Sequence, residues 1–181
     1  LRHCLSLLKG QRTRFQYWRC RDRFNELKVD SLNSLIAVGY FVGSVDFGGG
    51  VLTSAGNLDI IVAKYDSAGN HVWSKRFGAS SDDVGEALGV DSGGNVFIGG
   101  SFKGTVNFGG NTFTNLDCAD AFVAKYNASN GTHLWSKKIL GNGCDQVYGI
   151  TIDNVGDVVI TGSFTAQIDL GNGLISTTGS E

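Results

Sequence analysis

One stretch of this chain is written twice. Residues 59–73 read DIIVAKYDSAGNHVW and residues 120–135 read DAFVAKYNASNGTHLW. Asp59 maps to Asp120 at a step of 61, and Trp73 maps to Trp135 at a step of 62, the extra residue falling in a turn. The same register links V90-DSGGNVFIGGS-F102 to I152-DNVGDVVITGS-F164, with a degenerate copy at V29-DSLNSLIAVGY-F41. It also links G43-SVDFGGGVLTSAGNL-D59 to G104-TVNFGGNTFTNLDCA-D120, and a further copy opens at Ala166. A chain that repeats every 61–62 residues must fold into units that each repeat can build and that stack on one another.

Each unit holds four alternating runs rich in Val, Ile, Phe, Tyr and Trp. In the best-defined unit they are Val84–Asp91, Asn95–Phe102, Asp120–Tyr126 and His133–Ile139. They have strand length, and Asp-Ser-Gly-Gly-Asn or Asn-Ala-Ser-Asn-Gly separators supply the conformations of tight hairpins. Glycine makes up 27 of 181 residues, about 15% against a usual ~7%. The expected fold is all-β: a partial β-propeller of two to three four-stranded antiparallel blades over residues 28–181. The 17-residue segments 43–59 and 104–120 are expected to form an extra hairpin projecting from each blade.

Residues 1–27 break the pattern. They carry six of the seven Arg, together with Cys4 and Cys20, and only Asp22 and Leu27 match the repeat. Three readings stay open: an out-of-frame stretch, a decayed blade remnant, or a basic arm for an anionic surface. Leu5–Leu8 is too short for a signal-peptide core. The chain does not begin with Met, so a processed or truncated N-terminus is expected, with any export signal upstream.

The residues quoted above resemble the bacterial beta-propeller repeats called SBBP. The carriers are D120-AFVAKY126, Gly131, Trp135, Ile152-Asp153 and V158-VITGSF164, with Asp59, A63-KY65, Gly69, Trp73, Val90-Asp91 and V96-FIGGSF102 in the preceding copy. The resemblance covers about residues 28–181. It implies a multi-bladed propeller in a bacterial secreted or cell-surface protein, and no catalytic residues. A weaker likeness to quinoprotein propeller repeats, in AKYDSAGNHVW, implies that Trp73 and Trp135 wedge between blades and that Gly69 and Gly131 let them approach. It does not imply a quinone.

Chemistry-bearing motifs are scarce. His71 and His133 hold equivalent strand positions, and there is no His-x-x-x-His, Cys-x-x-Cys, Gly-x-Ser-x-Gly or phosphate loop. Asp66/Asn70, Asp91/Asn95 and Asp153/Asp157 read as hairpin turns. A weak calcium site among them stays open, since calcium wants six to eight oxygens. No other cofactor is expected. Cys118 and Cys144 both appear in one unit, where its neighbour has Asn57 and Asp82. Strands one and three of a blade start on the same side, so their loops could approach to disulfide distance; two separate thiols are the alternative. Asn127-Ala-Ser129 and Asn130-Gly-Thr132 are formal glycosylation sequons within a turn.

The net charge of −2 argues against nucleic acid as a partner, and no apolar run is long enough to span a bilayer. The leading expectation is a non-enzymatic scaffold that binds a protein or glycan through blade loops. Asn111, Asn115 and Asp117 are candidate contacts, and further blades of the same parent are neighbours. The alternative is a piece of a propeller enzyme, of hydrolase, lyase or quinoprotein type. Its channel-lining strands would offer Glu86 and Tyr148 here, with missing blades supplying the rest.

Overall fold

The computed structural model describes residues 21–115, 118–141, 143–165, 167–169 and 174–176, all of them in strands, turns and loops. The chain runs through β1 (Arg23–Val29), β2 (Leu35–Phe41), the short hairpin β3 (Ser44–Asp46) and β4 (Val51–Thr53), then β5 (Asp59–Tyr65) and β6 (His71–Phe77). The plan repeats in β7 (Val84–Val90), β8 (Val96–Phe102), β9 (Thr105–Asn107), β10 (Thr112–Thr114), β11 (Asp120–Tyr126) and β12 (His133–Lys138). It begins again with β13 (Leu140–Gly141), β14 (Gln146–Ile152), β15 (Val158–Ser163), β16 (Gln167–Asp169) and β17 (Leu174–Ser176).

Two complete antiparallel blades result, in the orders β1-β2-β5-β6 and β7-β8-β11-β12. A third has its first two strands, β14 and β15, while β16–β17 pair with β13. The first strands lie side by side, β1 against β7 and β7 against β14, so they mark the inner edge of the array. This is the partial propeller that the repeat predicts.

The blade begins earlier than residue 28. Residues 23–29 pair along β2, so 23–27 belong to the first blade and not to the N-terminal segment. The physical anchor is Asp22, whose Oδ1 accepts the Val42 N–H at 2.9 Å. Asp83 does the same for Lys103 N–H, and Asp145 for Thr165 N–H, each at 3.1 Å. Residues 1–20, where the rest of that segment falls, lie outside the described residues.

Alternation along each strand divides its side chains between two neighbours. Val38, Ile60, Val62, Trp73 and Phe77 of blade 1 pack on Leu88, Ile98, Phe102, Phe108, Phe122 and Tyr126 of blade 2. The opposite face of blade 2, with Phe97, Ala121, Val123 and Ile139, meets Val147 and Ile150 of blade 3. Trp73 is buried, and its indole N–H donates to Ala128 O at 3.3 Å in the next blade. Gly131 sits beneath it with φ +65°, and a Cβ there would come within 2.7 Å of the indole. The wedge needs a residue with no side chain under it.

Candidate functional site

The small hairpins come first, because they are the elements that a propeller of this kind adds to a plain four-stranded blade. Asp46 Oδ1 accepts the N–H groups of Gly48 (2.7 Å) and Gly50 (3.0 Å), which closes the turn. Asn107 Oδ1 takes Gly109 N–H at 2.6 Å in the second copy. Val45 and Phe47, like Val106 and Phe108, are buried beneath the hairpin. Tyr65 O–H donates to Phe47 O at 2.8 Å, and Tyr126 O–H to Phe108 O at 2.9 Å. The hairpins therefore do not project freely. Their apolar side is pinned onto the blade, and only the outer side faces solvent.

His71 and His133 serve that pinning. A Cβ on Gly49 would lie 2.2 Å from the His71 ring, and one on Gly110 would lie 2.6 Å from His133, so the paired glycines seat the imidazoles. Each Nε2 also shares a hydrogen bond of 3.0 Å with a serine, Ser74 or Ser136. Burial pushes the His71 pKa down, against the pull of the Asp46 charge.

On the outer side, hydroxyls pair across the hairpin, Ser44 with Thr53 at 2.8 Å and Thr105 with Thr114 at 3.3 Å. Asn111 is exposed among them. Asn115 is not a surface contact. It is buried, its Oδ1 accepts Gly104 N–H at 3.1 Å, and its amide donates to Cys118 O. It closes the base of the hairpin as Ser54 does in the first copy, where Ser54 Oγ accepts Gly43 N–H at 2.8 Å. Asp117 lies outside the described residues.

Beside Asn115, Cys118 and Cys144 are joined by a disulfide, their Cα atoms 5.0 Å apart. It ties the loop before β11 to the loop before β14. Between blades 1 and 2 the same two loops are linked by the Leu58 N–H donating to Asp82 Oδ1 at 3.3 Å.

The recurring acids are spent on structure. Asp30 binds Lys64 and Asp91 binds Lys125, each at 2.9 Å, and each aspartate also caps its own hairpin turn. Arg76 pairs with Asp59, and Lys138 with Asp120. Asp66 accepts from Ala68 N–H, Asn70 N–H and the Asn70 amide, so both its oxygens are occupied within the turn. Among the described residues no three His, Cys, Asp or Glu side chains converge as metal ligands.

A feature that alternation alone does not reveal lies on the inner edge. The first strand of every blade carries a β-bulge, which skips Asn25 in β1, Glu86 in β7 and Tyr148 in β14. Opposite each bulge stands a glycine. A Cβ on Gly39, Gly100 or Gly162 would fall 1.9, 2.0 or 2.1 Å from a carbonyl oxygen of the bulged strand. Bulges re-aim side chains, and these three differ in chemistry from blade to blade. Asn25 donates to Gly85 O at 2.9 Å. Burial raises the Glu86 pKa, opposed by the charge of Arg23. Tyr148 is 55% exposed, and its oxygen accepts from Ser163. The F-x-G-G-S and V-I-T-G-S runs carried the signal for the bulge, in a glycine that never varies between copies.

No helix among the described residues is long and apolar enough to cross a membrane. A family model described as a beta-propeller repeat, SBBP, matches residues 72–101. That span runs from the outer strand β6 through the junction into β8, so it covers one blade-to-blade joint. The chain is also similar to "Uncharacterized WD repeat-containing protein L264" of Acanthamoeba polyphaga mimivirus, 31% identical over 120 residues. That match covers 62% of this chain and 9% of the viral protein. With a repeating register, two complete blades and a matched joint, the chain is a propeller-type repeat protein carrying a beta-propeller repeat of the SBBP family.

Proposed function

We propose that this chain is a non-enzymatic binding scaffold that presents the outer faces of its blade hairpins to a protein or glycan. The observation that carries the reading is a division of labour within the repeat. Asp, Lys, His and Tyr side chains that recur are tied into the blade, while exposed hairpin positions change from copy to copy. Ser44 becomes Thr105, Asp46 becomes Asn107, Gly50 becomes Asn111 and Val51 becomes Thr112. Function on a repeat scaffold belongs where the repeats differ. A bacterial secreted or cell-surface setting goes with this proposal. The disulfide supports it, since such bonds persist in oxidising compartments, as does the family resemblance. Further blades of the same repeat would complete the array.

The test is saturable binding of the intact chain on glycan and protein arrays. Replacing Thr105 and Asn111 together by alanine, which leaves the turn-closing Asn107 in place, should remove the signal with little change in the melting curve. Binding that ignores those two changes, or no saturable binding at all, refutes the hairpin reading. A second reading is favoured by Glu86, a half-buried carboxyl with a raised pKa on the channel wall, as an enzyme site would need. Turnover of simple esters, glycosides or polyuronates that disappears in Glu86→Gln would support it.

A further inference from the structure

The two complete blades serve as a template for the third. β8 is flanked on both sides, by β7 and β11, and all seven of its residues are buried. Its counterpart β15 pairs only with β14 among the described residues, and four of its six residues are exposed. Beside it lies a groove of about 310 Å³, lined by Ala121 and Ile139 of blade 2 and by Val147, Ile160 and Phe164 of blade 3.

The repeat identifies what fits there. Four of those positions, Ala121, Ile139, Ile160 and Phe164, correspond by the register to Ile60, Phe77, Ile98 and Phe102. In the preceding joint those four share one core with Phe122, the third residue of β11. Phe122 pairs with Gly100, whose counterpart is Gly162, and Gly162 lines the groove. A charged group marks the other end of the strand. Asp30 and Asp91 each hold the lysine at the sixth position of β5 or β11 at 2.9 Å. Asp153, their counterpart, uses Oδ1 for its own turn (Val155 N–H at 2.9 Å, Asp157 N–H at 2.8 Å) and makes no ion pair among the described residues. Asp157 stands where blade 2 has Asn95, which adds a second negative charge to that end.

We propose that the β15 edge is an acceptor site for an extended strand of the class Asp-x-(Phe or Ile)-Val-Ala-Lys-Tyr, supplied by another repeat of this kind. Three complementary features would hold it. Main-chain hydrogen bonds run along β15, the apolar third residue enters the groove opposite Gly162, and the sixth-position lysine reaches Asp153. Strand addition of this sort takes affinity from the main chain and selectivity from side-chain pockets.

The probe is the capped heptapeptide Asp-Ala-Phe-Val-Ala-Lys-Tyr, titrated calorimetrically into the full chain. One-to-one saturable binding is expected. Phe→Ser in the peptide should weaken it roughly tenfold or more, and Lys→Ala about two- to fivefold. Asp153→Asn in the chain should cost the parent peptide a similar factor and abolish its advantage over the Lys→Ala peptide. That substitution lies in an exposed turn, and an unchanged melting curve verifies the fold. A scrambled peptide that binds equally well overturns the proposal, as does no saturation up to about 1 mM. So does an Asp153→Asn chain that still prefers the lysine.

Discussion

The joint between blades 1 and 2 and the joint between blades 2 and 3 are built from the same repeat, yet they are not equally closed. At the first, Trp73 lies beneath the hairpin that carries Gly131 and is 6% exposed, and Leu88 is fully buried. At the second, Trp135 is only half-buried, although it keeps an edge-on contact with Phe97 at 5.9 Å. Ile152, Val158, Ile160 and Phe164 are only partly buried against blade 2 there. The difference lies in the neighbour and not in the residue: a tryptophan becomes core only when the next blade's third and fourth strands cover it. The covalent tie, Cys118–Cys144, sits at the more open joint, while at the closed one the same loops are held by hydrogen bonds, Leu58 N–H to Asp82 Oδ1 at 3.3 Å and Asp83 N–H to Leu58 O at 2.8 Å.

The largest expected effect separates the two tryptophans. Trp73→Ala should destabilise the chain by about 3–5 kcal/mol, as for other buried aromatic truncations, and Trp135→Ala by less than half of that. Equal losses in urea unfolding would mean that the joints are equivalent after all. The next effect belongs to the linkage. Replacing Cys118 and Cys144 by serine opens a loop with a sequence separation of 26, which the chain-entropy account values at about 3.5 kcal/mol. Asp82→Ala at the other joint should cost under about 1 kcal/mol. Hydrogen exchange should localise the first loss to β14 and β15.

A pH dependence should come from the closed joint. Burial raises the Asp83 pKa from 3.8 to about 6, outweighing its hydrogen bonds from Ala79 and Lys103. A carboxyl that holds its proton more tightly when folded stabilises the fold fully below pH 3.8, and that contribution disappears as pH rises through about 6. Allowing for partial solvent screening, the change is on the order of 2 kcal/mol. Melting temperatures taken from pH 4 to 7 should show the decline, and Asp83→Asn should flatten it. Gly131→Ala should cost about 1–2 kcal/mol, from its positive φ and its contact with the indole. Removing the indole by Trp73→Ala in the same chain should leave only the backbone part of that loss.

Much of this was readable in the residues. The register and the four strands per unit follow from spacing, and the likeness to quinoprotein propeller repeats implies the joint-spanning tryptophans. The cysteines stand out as a pair because both depart from the repeat in the same unit. Other features were not legible. The Asn115 amide looks like any polar loop residue until its counterpart Ser54 is seen doing the same work. The first blade's start was obscured because β1 keeps only Asp22 and Leu27 of the pattern, and Leu27 lies 41% exposed where Leu88 is buried. A two-residue period also cannot report a bulge, since inserting one residue looks the same as a lapse in alternation. The alternating pattern of the hairpins suggests segments that stand out from the blade, since it does not say that Tyr65 and Tyr126 hold them down.

The bulges opposite Gly39, Gly100 and Gly162 have a consequence for how such an array can diversify. A residue outside the ladder can be exchanged without asking any pairing partner to change with it. Each blade thus contributes one independent letter to the inner wall, here Asn, Glu and Tyr, while the glycine across from it keeps the spelling frame constant. A row of blades becomes a line of text whose content can drift while its grammar stays put.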